Sequence, residues 1–132
     1  YYTTAVNGYV DIHDVVNGLV FLMESDISNE RFIQVAENLS NKTFIEMVAD
    51  AIGAKAPEKK ASATMLGFGW RFDWLRSKVL GKRRRLTKRL AKVLQRDTIY
   101  ENSKLKEMTG LAYKPVSQSI SETARFFTED QA

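Results

Sequence analysis

Apolar residues recur along this chain in short stripes set off by polar breaks. The clearest stripe is Val15, Val16, Leu19, Val20, Leu22 and Met23, whose spacing draws one broad helical face. Just before it, Tyr9, Val10 and Ile12 suit a pleated, half-buried backbone. The pattern predicts a short strand that turns directly into a helix from about Ile12 to Glu24. Asp11 stands where a helix N-cap belongs. Asp14 adds a carboxylate in the first turn, where the helix dipole and free N–H groups favour anions. Capping accounts for both acids, and His13 falls on the solvent side of that turn.

The same reading extends in both directions. Residues 1–7 have a β-leaning composition and lead in as extended chain, with Asn7-Gly8 as a turn signal. Residues 26–30 read as a loop. Residues 31–36, with Phe32, Ile33 and Val35 apolar, read as a second strand. Two strands joined by a helix predict a right-handed βαβ-like unit.

Ser40 caps a helix striped by Phe44, Ile45, Val48, Ala49 and Ile52, and Gly53 ends it. A polar connector follows over residues 55–62. A third helix then spans 64–80, with Met65, Phe68, Phe72, Leu75 and Val79 near helical spacing. Such a stripe is expected to be core. The glycines and basic residues of 81–85 break the helix. Leu86, Leu90, Val93 and Leu94 mark another helix, and Asn102 or Ser103 caps one that runs through Met108 to Gly110. Tyr113 to Val116 is extended, as the residue before a proline favours. Ser117 or Ser119 opens a final helix with Ile120, Thr123, Ala124 and Phe127 on one side. The fold class is therefore α/β and helix-rich, with two or three short strands and about five helices.

The 132 residues suit one domain, and 44% hydrophobic content argues against disorder. The longest apolar run, 19–23, is too short for a membrane span. With no cysteine there is no disulfide, and with a single histidine a zinc site is not expected. This usage fits a cytoplasmic protein. A chain that opens on Tyr1 rather than Met suggests processing, an expression boundary or missing upstream residues.

Charge changes the picture in one place. Between Arg71 and Arg96 the chain holds eleven Lys/Arg against one Asp, whereas the rest holds nine against fifteen acids. One basic block sits on an otherwise mildly acidic chain. Three readings compete for it: the solvated face of a helix pair, attraction to an anionic lipid surface, and nucleic-acid binding. No nucleic-acid-binding motif accompanies it.

Two passages carry a family resemblance. Tyr9-Val10-Asp11-Ile12-His13-Asp14-Val15-Val16 resembles the "(F/Y)VDV(R/H)DVA" segment of extended short-chain dehydrogenases/reductases, the NAD-dependent epimerase/dehydratase proteins, and is closest to their dihydroflavonol-reductase-like branch. Tyr100 to Phe127, through Ser103-Lys104, Gly110, Tyr113 and Pro115, resembles that family's "D-(S/A)-S-K-A-x-x-x-L-G-(W/Y)-x-P" ending, with Thr109 where leucine is usual. Ala36-Glu37-Asn38-Leu39-Ser40 looks like the family's "GENLS" passage. In the family the first segment lies past the middle of the chain. Here it begins at residue 9, so the resemblance implies the C-terminal, substrate-side portion of a Rossmann-type enzyme, residues 1–132 forming one substrate-binding region.

The resemblance further implies that Tyr2 and Thr3 face a small-molecule substrate and that Phe68 and Trp70 belong to a stretch capping its pocket. It implies NAD or NADP as cofactor of the parent protein, none being bound by this chain alone. It also implies that the second strand, lacking its sheet, leaves an edge that favours homo-oligomers. Tyr100 and Lys104 satisfy Tyr-x-x-x-Lys, the catalytic pattern of short-chain dehydrogenases. That chemistry needs both side chains on one helical face, and Tyr100 precedes the expected cap. No catalytic residue is therefore assigned, and there is no Gly-rich strand–turn–helix fingerprint. The competing reading is a stand-alone basic module that binds an anionic membrane or nucleic acid through residues 71–96.

Overall fold

A computed structural model describes residues 1–81, 83 and 86–129. The elements run β1 (Val6–Tyr9), α1 (Ile12–Glu24), β2 (Glu37–Ser40), α2 (Asn41–Ala51), α3 (Ala63–Leu80), α4 (Lys88–Val93), α5 (Ser103–Thr109) and α6 (Val116–Glu129). The result is a helix-rich α/β arrangement around one two-stranded sheet. Among the described residues no helix is long and apolar enough to cross a membrane.

The helix starts follow local chemistry. Asp11 accepts the His13 N–H at 2.8 Å and opens α1. Ser40 accepts the Thr43 N–H at 3.0 Å and opens α2. Ser62 and Thr87 do the same for α3 and α4. In each case a side-chain oxygen satisfies an N–H that the helix leaves free. Gly53, Gly81 and Gly110 follow the ends of α2, α3 and α5 with φ of 66°, 63° and 64°, a left-handed geometry that costs a side chain energy. Of the residues expected to break the third helix, Lys82, Arg84 and Arg85 lie outside the described residues.

The sheet differs from expectation. β1 and β2 pair antiparallel, with Val6 opposite Ser40 and Tyr9 opposite Glu37. The strand therefore falls at 37–40 rather than 31–36, and among the described residues no parallel βαβ unit forms. Asn7 and Gly8 lie inside β1, not in a turn. The physical reason lies in what holds residues 30–35. Val35 is buried, and its carbonyl accepts from the Asn102 amide. Lys104 pairs with Glu30 and stands 4.8 Å over the Phe32 ring. The segment alternates half-buried and exposed as a strand would, yet side chains at the start of α5 secure it, not a ladder.

The final helix starts at Val116, ahead of both serines expected to open it. The Val116 N–H donates to Glu37 Oε1 at 2.9 Å, so a carboxylate from β2 serves as the cap. That contact ties the start of α6 to β2, and α2 packs beside α6. Alanines recur in the interior: Ala5, Ala49, Ala61, Ala91 and Ala124 are buried beside Val35, Leu66, Val116 and Ile120, and Leu105 is the large side chain most fully enclosed.

The α3 stripe expected in the core faces out instead. Phe68, Phe72 and Val79 are more than two thirds exposed, and the side of α3 that packs inward carries Leu66 and Asp73. Leu66 meets Ala61 and Ala91, with Trp70, Leu86 and Leu94 around them. Periodicity gave the membership of the stripe but not the side it presents.

Candidate functional site

Tyr9 ends β1 and Val10 follows it, both between α2 and α6. Phe44, Val48 and Ile52 of α2 and Val116, Ile120, Ala124 and Phe127 of α6 face each other there. Between them lies an apolar groove of about 420 Å³. The Tyr9 and Phe44 rings stack at 4.2 Å between centroids and 10° between planes, forming one wall. The Tyr9 hydroxyl is drawn away to Asn41 Oδ1 at 3.1 Å, and burial pushes its pKa up, so it stays protonated. Ser119 and Thr123 supply the groove's hydroxyls. Thr123 spends its own on the Ser119 carbonyl at 2.8 Å. The groove suits an apolar group and offers it little charge.

A polar cluster closes the Ser119 end. Asp11 is buried and accepts from the His13 N–H at 2.8 Å and the His13 ring at 2.9 Å. Lys114 approaches its other oxygen at 3.5 Å and pairs with Glu122 at 2.7 Å. The Ser119 hydroxyl is the largest cause holding the Asp11 carboxyl well below the usual carboxylate range. Burial opposes that shift, while His13 and Lys114 add to it. Contact with Glu122 in turn raises the Lys114 pKa. His13 thus has an orienting carboxylate, a partner that the sequence did not reveal. That carboxylate is already engaged on both oxygens, and the histidine points to solvent, so the pair is built to hold α1, Lys114 and α6 together.

The residues singled out in the sequence lie elsewhere. Tyr2 is held by its backbone, donating to Lys59 O at 2.9 Å and accepting from Ala61 N at 2.8 Å. Lys42 stands 5.6 Å over its ring. Thr3 accepts from Asn41 Nδ2 at 2.7 Å. Trp70 lies against the Ala61–Leu66–Ala91 cluster, with Arg71 at 4.6 Å over its ring. Phe68 projects from the other side of α3. Tyr2 bonds Ala61 through its backbone, and Trp70 packs on the cluster to which Ala61 belongs. None of the four lines the groove.

Tyr100 and Lys104 do not share a helical face, because α5 begins at Ser103. The Tyr100 backbone exchanges hydrogen bonds of 2.8 and 3.0 Å with the Asn38 side chain, while Lys104 turns to Glu30.

The left-handed glycines each follow a helix end, whereas a pyrophosphate needs a glycine turn that opens one. No group of three His, Asp or Glu side chains among the described residues could hold a metal ion. The signal for the groove was present as the apolar stripes of α2 and α6, but sequence spacing could not say that these two stripes face each other.

Fold and site together define a helix-rich α/β chain with an apolar groove between α2 and α6. Set beside known proteins, the chain matches no family model and no curated protein. It is similar to a solved structure described as "Crystal structure of gox2253", with a TM-score of 0.75 at 20% identity, over 98% of this chain and 39% of that one. At that identity the likeness shows a common fold alone. The chain spans well under half the length of that protein.

Proposed function

We propose that the chain is the C-terminal, substrate-side portion of an NAD(P)-dependent epimerase, dehydratase or reductase of the extended short-chain dehydrogenase type, whose dinucleotide-binding Rossmann portion lies N-terminal to it. The observation that carries this reading is the open face of α1. Val16, Leu19, Val20 and Met23 form one apolar side of the helix that follows the Tyr9 segment, and all four are about half exposed or more. A face of that size calls for a cover. The 31–35 stretch points the same way: it has strand-like alternation and no β partner among the described residues. In this reading the sheet of the dinucleotide-binding portion would supply both. The likeness to a protein of which this fold spans 39% is compatible with such a division.

In this reading Tyr2, Thr3 and the Trp70 side of α3 contribute pocket wall and lid. The substrate is a small molecule bearing a carbonyl or hydroxyl, such as a nucleotide sugar or a steroid-like or flavonoid-like ketol. The chain alone neither holds the dinucleotide nor catalyses.

The test starts with the reading frame upstream of Tyr1. The expected result is an in-frame extension encoding a strand–glycine turn–helix and a helical Tyr-x-x-x-Lys. The extended protein should quench or shift nicotinamide fluorescence on binding NADH or NADPH, and the 132-residue chain should not. A start codon adjoining Tyr1, or an extension without that turn, overturns the reading.

A further inference from the structure

Met65, Phe68, Phe72, Leu75 and Val79 of α3 recur at intervals of three and four and so stand one above another along a single side of the helix. Phe68 is 75% exposed, Phe72 71% and Val79 72%. The inward side of the same helix is already occupied, with Leu66 and Trp70 on the Ala61–Ala91 cluster. A continuous apolar stripe turned to solvent marks a surface that meets a partner.

The charges around the stripe select that partner. Successive helical residues step about 100°, which sets Arg71 and Lys78 along one flank and Arg76 along the other. Lys88, Arg89 and Lys92 continue the positive field on α4, beside the half-exposed Leu90 and Val93. Eleven basic residues fall between 71 and 96, and the single acid there, Asp73, turns inward to Arg76 and the Leu86 N–H at 3.0 and 2.9 Å. Nothing negative is left on the outer face of that segment among the described residues. Lys78 also stands 5.3 Å over the Trp74 ring, an amphipathic pair suited to a lipid headgroup layer.

We propose that the outer face of α3, with the basic residues of α3 and α4, docks on an anionic lipid membrane. The helix lies in the interface, its stripe enters the acyl boundary, and the Lys and Arg side chains meet phosphate headgroups. A second copy is the poorer occupant, because it would press two basic segments together. Nucleic acid would engage the cations and leave Phe68, Phe72 and Val79 without a role. The stripe lies on the side of α3 opposite Trp70, so this inference does not rest on the enzymatic reading.

Co-sedimentation of the chain with phosphatidylcholine vesicles tests it, with and without about 30% phosphatidylserine. The expected result is binding that requires phosphatidylserine, weakens at high salt and shifts tryptophan emission to the blue. The F68S/F72S variant should partition roughly tenfold less, and K88E/R89E should lose a comparable factor. All four side chains are exposed, so circular dichroism should stay unchanged. Failure to bind anionic vesicles overturns the proposal. So does wild-type partitioning of F68S/F72S, and duplex DNA that competes fully in that case marks a nucleic-acid surface instead. A stripe variant that changes the light-scattering mass while vesicle binding persists assigns the face to a second copy.

Discussion

Asp14 in the first turn of α1 accepts the backbone N–H of Lys114 at 2.8 Å across 100 residues of chain. The Lys114 ammonium reaches back to Asp11, so one lysine is held twice by the same helix start. The two acids that sequence assigns to capping thus also fasten the segment entering α6. Asp14→Ala leaves a part-buried N–H without its acceptor. It should destabilise the chain by about 1–2 kcal/mol in urea denaturation, while Asp14→Asn, which keeps an acceptor oxygen, should cost less.

Acid should reveal Asp11. Its folded pKa lies below its unfolded value near 4, so its contribution is complete above about pH 4 and is lost as pH falls further. Asn at this position still caps a helix but cannot titrate. The melting temperature of Asp11→Asn should therefore fall less steeply than that of the unaltered chain between about pH 4 and pH 2. Parallel slopes would show that Asp11 contributes nothing to acid sensitivity.

Gly8 sits where three segments converge. A methyl group there would lie 2.6 Å from Val35 Cγ2 and 2.8 Å from Tyr100 Cδ2. Gly8→Ala should cost about 1–3 kcal/mol by overpacking, and adding Val35→Ala should return part of that loss in a double-mutant cycle.

Tyr113 buries a hydroxyl with no hydrogen-bond partner among the described residues, and burial together with the Asp14 charge raises its pKa. Tyr113→Phe removes that oxygen and keeps the ring. It should leave stability unchanged or raise it by about 1 kcal/mol, read from the thermal midpoint.

How much of this was legible in the sequence depends on the range of the interaction. The caps at Asp11 and Ser40 and the terminator at Gly53 act within a few residues, and the bounds of α1 came out as expected. β2 was hidden because Glu37, Asn38 and Ser40 are polar. Their work is at a distance: Glu37 caps α6, Asn38 ties Tyr100, and Ser40 starts α2. The walls of the groove were visible as stripes on Phe44 and Ile120, but their pairing spans residues that no local pattern connects. The α3 stripe misled because a period of 3.6 fixes which residues share a side and says nothing of what lies opposite.

The meeting of Gly8, Val35 and Tyr100 also sets a timetable for synthesis. Val6 of β1 accepts one hydrogen bond from Thr98 N and donates one to Asp97, so its outer edge is satisfied only once residues near 100 exist. A ribosome adding about 5–20 residues per second needs roughly 5–20 seconds to get there. Throughout that interval the nascent chain carries the bare apolar side of α1, and a chaperone that shields it would act before the strand has its neighbours.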